Sequence, residues 1–292
     1  MSMDKVPSHL LKLRDWIDIK KLSIENLSDN INAETILKQN IDQIDWSYLS
    51  GNIYAIDLLK DNQDKIDWFN ISENEHAMYI IKENLDKIDW KILCLNPSAI
   101  SLLEQYPEKI CWRNLSSNPE AIKLLEENPD KIDWKMLSSN SKAIKLLEGN
   151  IDKIDWMFLS TNEEAIYIIE QHLDKINWTM LSTNSKAISI LKQNYDKINW
   201  KMLSSNNGAI NLIEENLNKV DWTYLSCNSK AIHILEKYQD RINWCWFSEN
   251  PGIFEIDYKL LKKRLDSTFG EELIQYMFHP RNINKFMNWG FD

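Results

Sequence analysis

The chain has 292 residues, 43% of them hydrophobic, and a formal net charge of -10 at pH 7. The hydrophobic content excludes wholesale disorder, and the lack of an apolar run of about 18 residues predicts no transmembrane helix. The negative charge argues against nucleic acid as a partner, because phosphates require a basic surface. No apolar core of signal-peptide length opens the chain, and its four cysteines form no CxxC pair, as is typical of free thiols in a reducing compartment. We therefore expect a cytoplasmic protein that does not bind a membrane.

Residues 1–21 come before the repetitive part of the chain and are predicted to form an N-terminal cap. The stretch LLKLRDWIDIKKL, residues 10–22, has the apolar spacing of a leading helix. Trp16 lies within it and is out of register with the tryptophans that follow. Solenoids need such atypical ends, because a terminal repeat would otherwise expose one face of its core.

From residue 22 to residue 257 one phrase returns every 22 residues without an insertion or deletion. In a degenerate first copy Ile24 stands in the tryptophan position, so the chain holds eleven copies. Strict spacing of this kind predicts a stack of repeats, that is, a solenoid. The ten repeated tryptophans are Trp46, Trp68, Trp90, Trp112, Trp134, Trp156, Trp178, Trp200, Trp222 and Trp244.

Each copy predicts a pair of helices when the tryptophan is counted as position 0. Position 6 is asparagine in every copy, as at Asn140, and proline follows it in three copies; asparagine caps helix N-termini and proline fits the first helical turn. A helix of about 10 residues should follow, ended near position 16 by a residue such as Asn150, since asparagine tolerates the left-handed conformation. Asp133, at position 21, should cap a shorter helix of about 6 residues that begins at Trp134.

The predicted fold is an all-α solenoid of about eleven helix-turn-helix repeats with helical caps at both ends. We expect a curved rod whose core is built from the tryptophan, isoleucine, leucine and alanine positions. Residues 258–292 should form a C-terminal cap of two or three helices. A β-containing horseshoe with KIDW as its strand is the alternative, but KIDW offers only about four strand residues with charged outward positions, and this favours the all-α fold.

The phrase NPEAIKLLEENPDKIDWKMLS, residues 118–138, resembles the short tandem repeats of uncharacterised proteins encoded in many copies by mimivirus-like giant viruses of amoebae. The stretches LRDWID and EELIQYMFHPRNI are similar to the flanks of those repeats. The resemblance covers nearly the whole chain and implies a viral origin and an α-solenoid. It implies no catalytic residue. Asn162 and Asn184 lack the family's following proline, which weakens individual helix caps.

The sequence offers no pattern of catalytic or ligand-binding residues. Its five histidines occupy unrelated positions of the repeat, and its six glycines form no phosphate-binding loop. Recurring carboxylates such as Asp130 and Asp133 are interpreted as turn and cap residues. A lysine at position 19 follows an aspartate in nearly every copy, which is typical of a solvated ladder of alternating charge. We therefore expect no enzymatic activity, no cofactor and no bound metal.

Position 2 of the repeat is apolar in eight copies, although helical geometry places it away from the buried face of the shorter helix. An exposed apolar ridge usually marks an interaction site. The alternative is that these side chains pack beneath the turn of the next repeat, and both interpretations remain open. The candidate interaction ridge consists of Tyr48, Ile92, Met136, Phe158, Met180, Met202, Tyr224 and Trp246.

Position 11 varies freely and points away from the apolar face of the longer helix. Free variation beside fixed positions is typical either of a surface that recognises a partner or of a surface under no constraint, and both interpretations remain open. The candidate variable row includes Tyr79, Lys123, Lys145, Tyr167, Asn211 and His233.

These observations predict a non-enzymatic scaffold for protein–protein interaction, encoded by a giant DNA virus and acting in the cytoplasm of the infected host cell. The expected partner is one or more proteins of unidentified kind, with no nucleic acid and no membrane. A structural component of the virion, associated with its capsid or tegument, is the alternative, and an enzyme is a distant third. We favour a monomer, although the repeat itself does not determine the oligomeric state.

Overall fold

A computed structural model describes residues 7–264 and confirms the all-α repeat architecture. The chain divides into two compact units. The repeat unit extends from Trp16 to Ile253, whereas the prediction was 22–257. Among the described residues, the second unit combines 7–15 with 254–264.

The first helix of every repeat begins at position 0, and in every repeat except that of Trp112, which Cys111 precedes, the side chain of the residue before it caps the backbone. Asp133 is extended, and its carboxylate accepts a hydrogen bond from the backbone N–H of Met136 at 3.0 Å, as predicted for an N-cap. The first helices are Ile24–Leu27, Trp46–Gly51, Trp68–Glu73, Trp90–Leu93, Trp112–Ser117, Trp134–Leu137, Trp156–Thr161, Trp178–Leu181, Trp200–Ser204, Trp222–Ser226 and Trp244–Glu249.

The second helix is shorter than predicted, because a separate turn occupies positions 7 to 9. Ala143, at position 9, has a φ of -85° and a ψ of 8°, and this ψ interrupts a continuous helix. Six of these turns are 3₁₀-helices: Glu75–Ala77, Pro97–Ala99, Pro119–Ala121, Glu163–Ala165, Asn207–Ala209 and Pro251–Ile253. The second helices are Glu34–Gln39, Ile56–Asp61, Met78–Glu83, Ile100–Gln105, Ile122–Glu126, Ile144–Glu148, Ile166–Gln171, Ile188–Gln193, Ile210–Glu214 and Ile232–Lys237.

The second helix ends at position 14 or 15, near the predicted position 16, but the left-handed conformation predicted for the asparagine at position 16 is wrong. Asn150 has a φ of -143°, and its side-chain amide donates to the carbonyl of Leu146 at 2.9 Å. Asparagine ends the helix here by bonding one of its last free carbonyls. The 3₁₀-helices at positions 17 to 19 are Ile19–Lys21, Ile41–Gln43, Gln63–Lys65, Pro107–Lys109, Pro129–Lys131, Ile151–Lys153, Tyr195–Lys197 and Gln239–Arg241. Ser8–Leu10 forms a further 3₁₀-helix.

Aliphatic residues rather than tryptophans form the fully buried core. Leu137 and Leu147 have no exposed surface and Ala143 only 1%, whereas Trp134 is half-buried. The ammonium of Lys153, at position 19 of the same repeat, lies 4.4 Å from the centroid of the Trp134 ring. Lysine or arginine lies over the position-0 tryptophan in most repeats. The position-19 cations therefore cover the indole rings instead of forming only a solvated ladder.

The repeat unit closes on itself, so the expectation of an open rod is wrong. In every internal repeat the side-chain amide of the position-6 asparagine donates to two carbonyls of the preceding repeat, as Asn52 donates to Ser28 and Asn30. Asn30, in the first repeat, donates in the same way to Ser248 at 2.8 Å and Asn250 at 3.0 Å. The last repeat is therefore the neighbour that precedes the first, and the repeats form a closed ring.

Residues from both ends of the repeat unit complete the eleventh repeat together. The first helix and turn of that repeat end at Ile253, and its positions 17 to 21 are supplied by Ile19–Ser23. Lys21 lies 4.8 Å from the Trp244 ring, as position 19 does elsewhere. The backbone N–H of Ser23 donates to the hydroxyl of Ser248, as position 21 does elsewhere. The predicted leading helix is therefore wrong, because half of a repeat stands in its place.

The second unit joins the two ends of the described chain in a small ribbon. Strand β1, Leu11–Leu13, pairs antiparallel with strand β2, Phe254–Ile256, so that Lys12 lies opposite Glu255. Lys12 and Arg14 both form ion pairs with Glu255. Helix Tyr258–Arg264 follows β2, and the other helices predicted for the C-terminal cap lie outside the described residues.

Candidate functional site

The candidate site is the exposed face of the first helices, and a ladder of buried asparagines holds these helices in register. The carboxamide of Asn140 donates to the carbonyls of Ser116 and Asn118, and its oxygen accepts the N–H of Lys142, all at 2.8–3.0 Å. Only 1% of Asn140 is exposed. The sequence predicted the cap formed by the oxygen but not the two bonds to the neighbouring repeat. The sequence did contain a signal for these two bonds, because no residue type other than asparagine occurs at position 6.

A buried serine at position 4 links the first helix to the cap of the next repeat. The hydroxyl of Ser138 donates to the carbonyl of Trp134 at 2.7 Å and accepts the backbone N–H of Asp155 at 3.0 Å. Cys94 replaces this serine in one repeat and makes both contacts through its sulfur. Burial raises the pKa of the Cys94 thiol to about 11, so this residue acts as a neutral structural side chain.

The candidate interaction ridge runs without interruption through six adjacent repeats, from Met136 to Trp246, whereas Asn70 and Asn114 separate Tyr48 and Ile92 from each other and from these six. Tyr48 and Trp246 are 53% and 41% exposed, and the other six members are half-buried. Tyr224 and Trp246, in adjacent repeats, have ring centroids 5.6 Å apart. Side chains of neighbouring repeats thus cover part of each member, while part stays open to solvent. Partial burial agrees in part with each interpretation of position 2, as packing beneath the next repeat and as an exposed interaction site. The binding role of the ridge therefore stays a prediction.

Position 1 adds cations beside the ridge, and the sequence interpretation missed them. Lys91, Arg113, Lys135 and Lys201 are all exposed. The Lys135 ammonium lies 5.2 Å from the centroid of the Phe158 ring in the next repeat, and Lys201 lies 5.1 Å from that of Tyr224. A count of the charges at each repeat position would have found these cations in the sequence. Positions 1 and 2 hold four cations and no carboxylate from residue 47 to residue 246.

The ridge borders an open depression between the second, third and fourth repeats. Its volume is about 390 Å³, and its lining includes Gly51, Asn70, Glu73, Leu95 and Pro97. Asn70 is the position-2 residue of its repeat, and its amide donates to the Ser47 hydroxyl of the preceding repeat at 2.8 Å. The depression therefore lies where polar asparagine interrupts the apolar ridge.

The candidate variable row is exposed along the second helices, as its position in the repeat predicted. Each of its members Tyr79, Lys123, Lys145, Tyr167, Asn211 and His233 is exposed. Tyr167 is the most open of the tyrosines in this row, at 65%. His233 forms an ion pair with Glu214 when its ring is protonated. No contact in the described chain joins the members into a continuous surface, so its binding role also stays a prediction.

Within residues 7–264 no cluster of three or more histidine, cysteine or acidic side chains is arranged to hold a metal ion. No helix in that range is both long and apolar enough to cross a membrane. Fold and site together define a ring-forming α-helical repeat protein. No protein-family model, curated protein or solved structure matches the chain.

Proposed function

We propose that the protein is a non-enzymatic scaffold for protein–protein interaction, encoded by a giant DNA virus and acting in the cytoplasm of the infected host cell. The observation that carries the proposal is the candidate interaction ridge, in which partly exposed apolar side chains continue from one repeat to the next. A rigid backbone supports the ridge, since buried asparagines fix each repeat against its neighbour. Contiguous apolar surface on a rigid scaffold is typical of a docking site.

The proposal is tested with a variant in which Met136, Phe158, Met180 and Met202 are all replaced with serine. These half-buried side chains lose apolar contact area, so we expect a melting temperature a few degrees lower with unchanged helicity, and loss of bound partner. Circular dichroism gives helicity and melting. Affinity capture from infected cells, followed by mass spectrometry, gives the partners of the wild-type and variant proteins.

The matched control replaces four members of the candidate variable row, Tyr79, Lys123, Lys145 and Tyr167, with serine. This variant should retain the partners. If the ridge variant instead loses its helical signal far below the wild-type melting temperature, the ridge is packing and not a docking surface. If the wild-type protein captures no partner and is abundant in purified virus particles, a structural role in the virion replaces the proposal.

A further inference from the structure

We infer that the interaction ridge, together with the cations beside it, binds a flexible segment of a partner protein in which carboxylates alternate with apolar side chains. The inference rests on the proposed function and names the chemistry of the partner. It follows from the charges of the ridge, from their lack of local ion pairs and from their spacing.

The charge of the ridge differs in sign from that of the whole chain. The protein carries a net charge of -10, yet every charged residue at positions 1 and 2 from residue 47 to residue 246 is a cation. Carboxylates also lie beside position 1, but they belong to the position-21 aspartates that cap the first helices, as Asp89 accepts the backbone N–H of Lys91 at 2.8 Å. Lys91, Arg113, Lys135 and Lys201 are therefore the charged side chains that the strip itself presents to a partner. Such a strip favours an acidic partner, because complementary charges steer association and fix register.

These four cations form no ion pair within the described residues, unlike lysines elsewhere on the ring. Lys142 and Lys186, at position 8, each pair with a glutamate of the preceding repeat at 2.6 Å. Lys135 and Lys201 instead lie over aromatic rings of the ridge. An aromatic ring does not neutralise a cation, so the charge remains available to a carboxylate from outside.

The spacing of the cations fits an extended peptide. Lys91, Arg113 and Lys135 come from three consecutive repeats, and packed neighbouring helices lie roughly 8–10 Å apart. A chain in the polyproline II conformation rises about 3.1 Å per residue with three residues per turn, so one turn crosses about one repeat. A carboxylate at every third residue therefore faces the same side and meets one cation per repeat. The apolar residues between contact Ile92 and Met136, and the methionine side chain adapts to varied shapes.

A long polyanion fits the surface less well than a short acidic segment. Beyond the strip the net negative charge of the protein repels phosphates over roughly a Debye length, about 10 Å at 0.1 M salt. A nucleic acid also offers no aliphatic side chains to cover isoleucine and methionine. A protein segment gains from both the ion pairs and the apolar burial.

The test uses a fluorescent peptide of about five Glu-Leu-Ser triplets, whose carboxylates recur once per turn of a polyproline II chain. We expect saturable binding to the full-length protein by fluorescence anisotropy, roughly tenfold tighter than that of the Gln-Leu-Ser peptide, and weakened by added salt. The variant Lys91→Glu, Arg113→Glu, Lys135→Glu should lose at least about tenfold in affinity.

The matched control is Lys82→Glu, Lys192→Glu, Lys230→Glu, which reverses three exposed cations away from the ridge and changes the net charge by the same amount. It should bind the acidic peptide nearly as the wild type does. Circular dichroism must give the wild-type melting temperature for both variants. In addition, the ridge variant should bind a Lys-Leu-Ser peptide more tightly than the Glu-Leu-Ser peptide, which shows directly that its site is folded.

Several results would overturn the inference. Equal affinity for the Glu and Gln peptides, or equal losses in the two triple variants, removes the role of the ridge cations. Tighter binding of oligo-dT than of the peptide, abolished in the ridge variant, assigns the strip to polyanions. If captured partners are retained by the ridge variant, this inference fails and the proposed function stands. If the wild type captures none, the proposed function itself fails.

Discussion

At the scale of single residues, asparagine at position 6 has no substitute because it uses every polar atom of its side chain. Its oxygen caps a backbone N–H of its own repeat, and its nitrogen bonds two carbonyls of the preceding repeat. Aspartate and serine could supply the cap, since both are good N-cap residues, but neither carries two donors. If position 6 only capped a backbone N–H, aspartate or serine could replace asparagine there. The two bonds to the preceding repeat exclude both residues.

Replacing Asn140 with alanine should lower the free energy of unfolding by about 3–5 kcal/mol, because two buried carbonyls and one N–H lose their partner. Asn150→Ala removes only one bond from a half-buried residue and should cost about 1 kcal/mol. Urea denaturation of both variants measures the difference. Asn140→Asp retains the acceptor but not the donors and should also be strongly destabilised. Equal losses at the two asparagines would contradict the assignment of the ladder.

The cysteines should differ widely in reactivity. Burial raises the pKa of Cys94 to about 11 and that of Cys227 to about 12, so little thiolate is present on either at pH 8, whereas Cys245 is exposed. Because the thiolate is the nucleophile, alkylation of Cys94 by iodoacetamide should be at least about 100-fold slower than that of Cys245 and should rise as the pH approaches 11. Peptide mass spectrometry at several times gives each rate. Similar rates at pH 8 would show that Cys94 is open to solvent.

At the scale of elements, a turn at positions 7 to 9 separates the first helix from the second, whereas the sequence pattern predicted that the second helix begins at position 7. The turn is compatible with proline at its first residue, where three repeats have it. Asn74, before Glu75, has a φ of -71° and a ψ of 107°, close to the values of Asn118 before Pro119. An extended residue before proline is the favoured arrangement.

Glu75→Pro should therefore raise the free energy of unfolding by about 0.4–1 kcal/mol, because proline restricts the unfolded chain without straining the turn. The contrasting variant is Ala77→Pro. The N–H of Ala77 donates to the carbonyl of Asn74 at 3.0 Å, and loss of that bond in a buried turn should cost about 3 kcal/mol or more. Thermal and urea denaturation compare the two. Marked destabilisation by Glu75→Pro would mean that the turn differs between repeats.

At the scale of the whole repeat unit, closure gives the first repeat a neighbour on each side. In an open solenoid the end repeats lack one interface and depend on caps. Here Asn30 and Asn26 bond the last repeat through side-chain amides, and Asn32 donates to the carbonyl of Pro251 at 3.0 Å. The last repeat of the same chain thus covers the interface that the first repeat would otherwise expose.

Asn30→Ala should consequently cost as much stability as Asn140→Ala, about 3–5 kcal/mol, because it breaks the same two carbonyl bonds at the point of closure. Urea denaturation under identical conditions provides the comparison. In an open stack Asn30 would have no preceding repeat to bond. A loss of only about 1 kcal/mol, the value of a helix cap alone, would show that the ring is open in solution.

The sequence by itself determined the period, the number of repeats, the presence of a helix pair in each repeat, and the side-chain caps formed by asparagine at position 6 and by aspartate or asparagine at position 21. These features depend on contacts within a few residues or between equivalent positions of neighbouring repeats, so the residues that make the contacts recur in every repeat. Trp134, Asn140 and Asn150 mark the same boundaries in one repeat that their equivalents mark in the others. The variable row is exposed for the same local reason, since its place on the helix sets its direction.

Only the tertiary structure decided the closure, the burial of the tryptophans and the cover of the ridge. Closure depends on a small rotation per repeat that accumulates over the ring, and it brings Lys21 to Trp244 and Ser23 to Ser248, which no local pattern encodes. The tryptophans are half-buried because lysines cover them instead of a neighbouring helix. The ridge is half-buried because each repeat covers part of the next, and that overlap is set by the curvature of the ring.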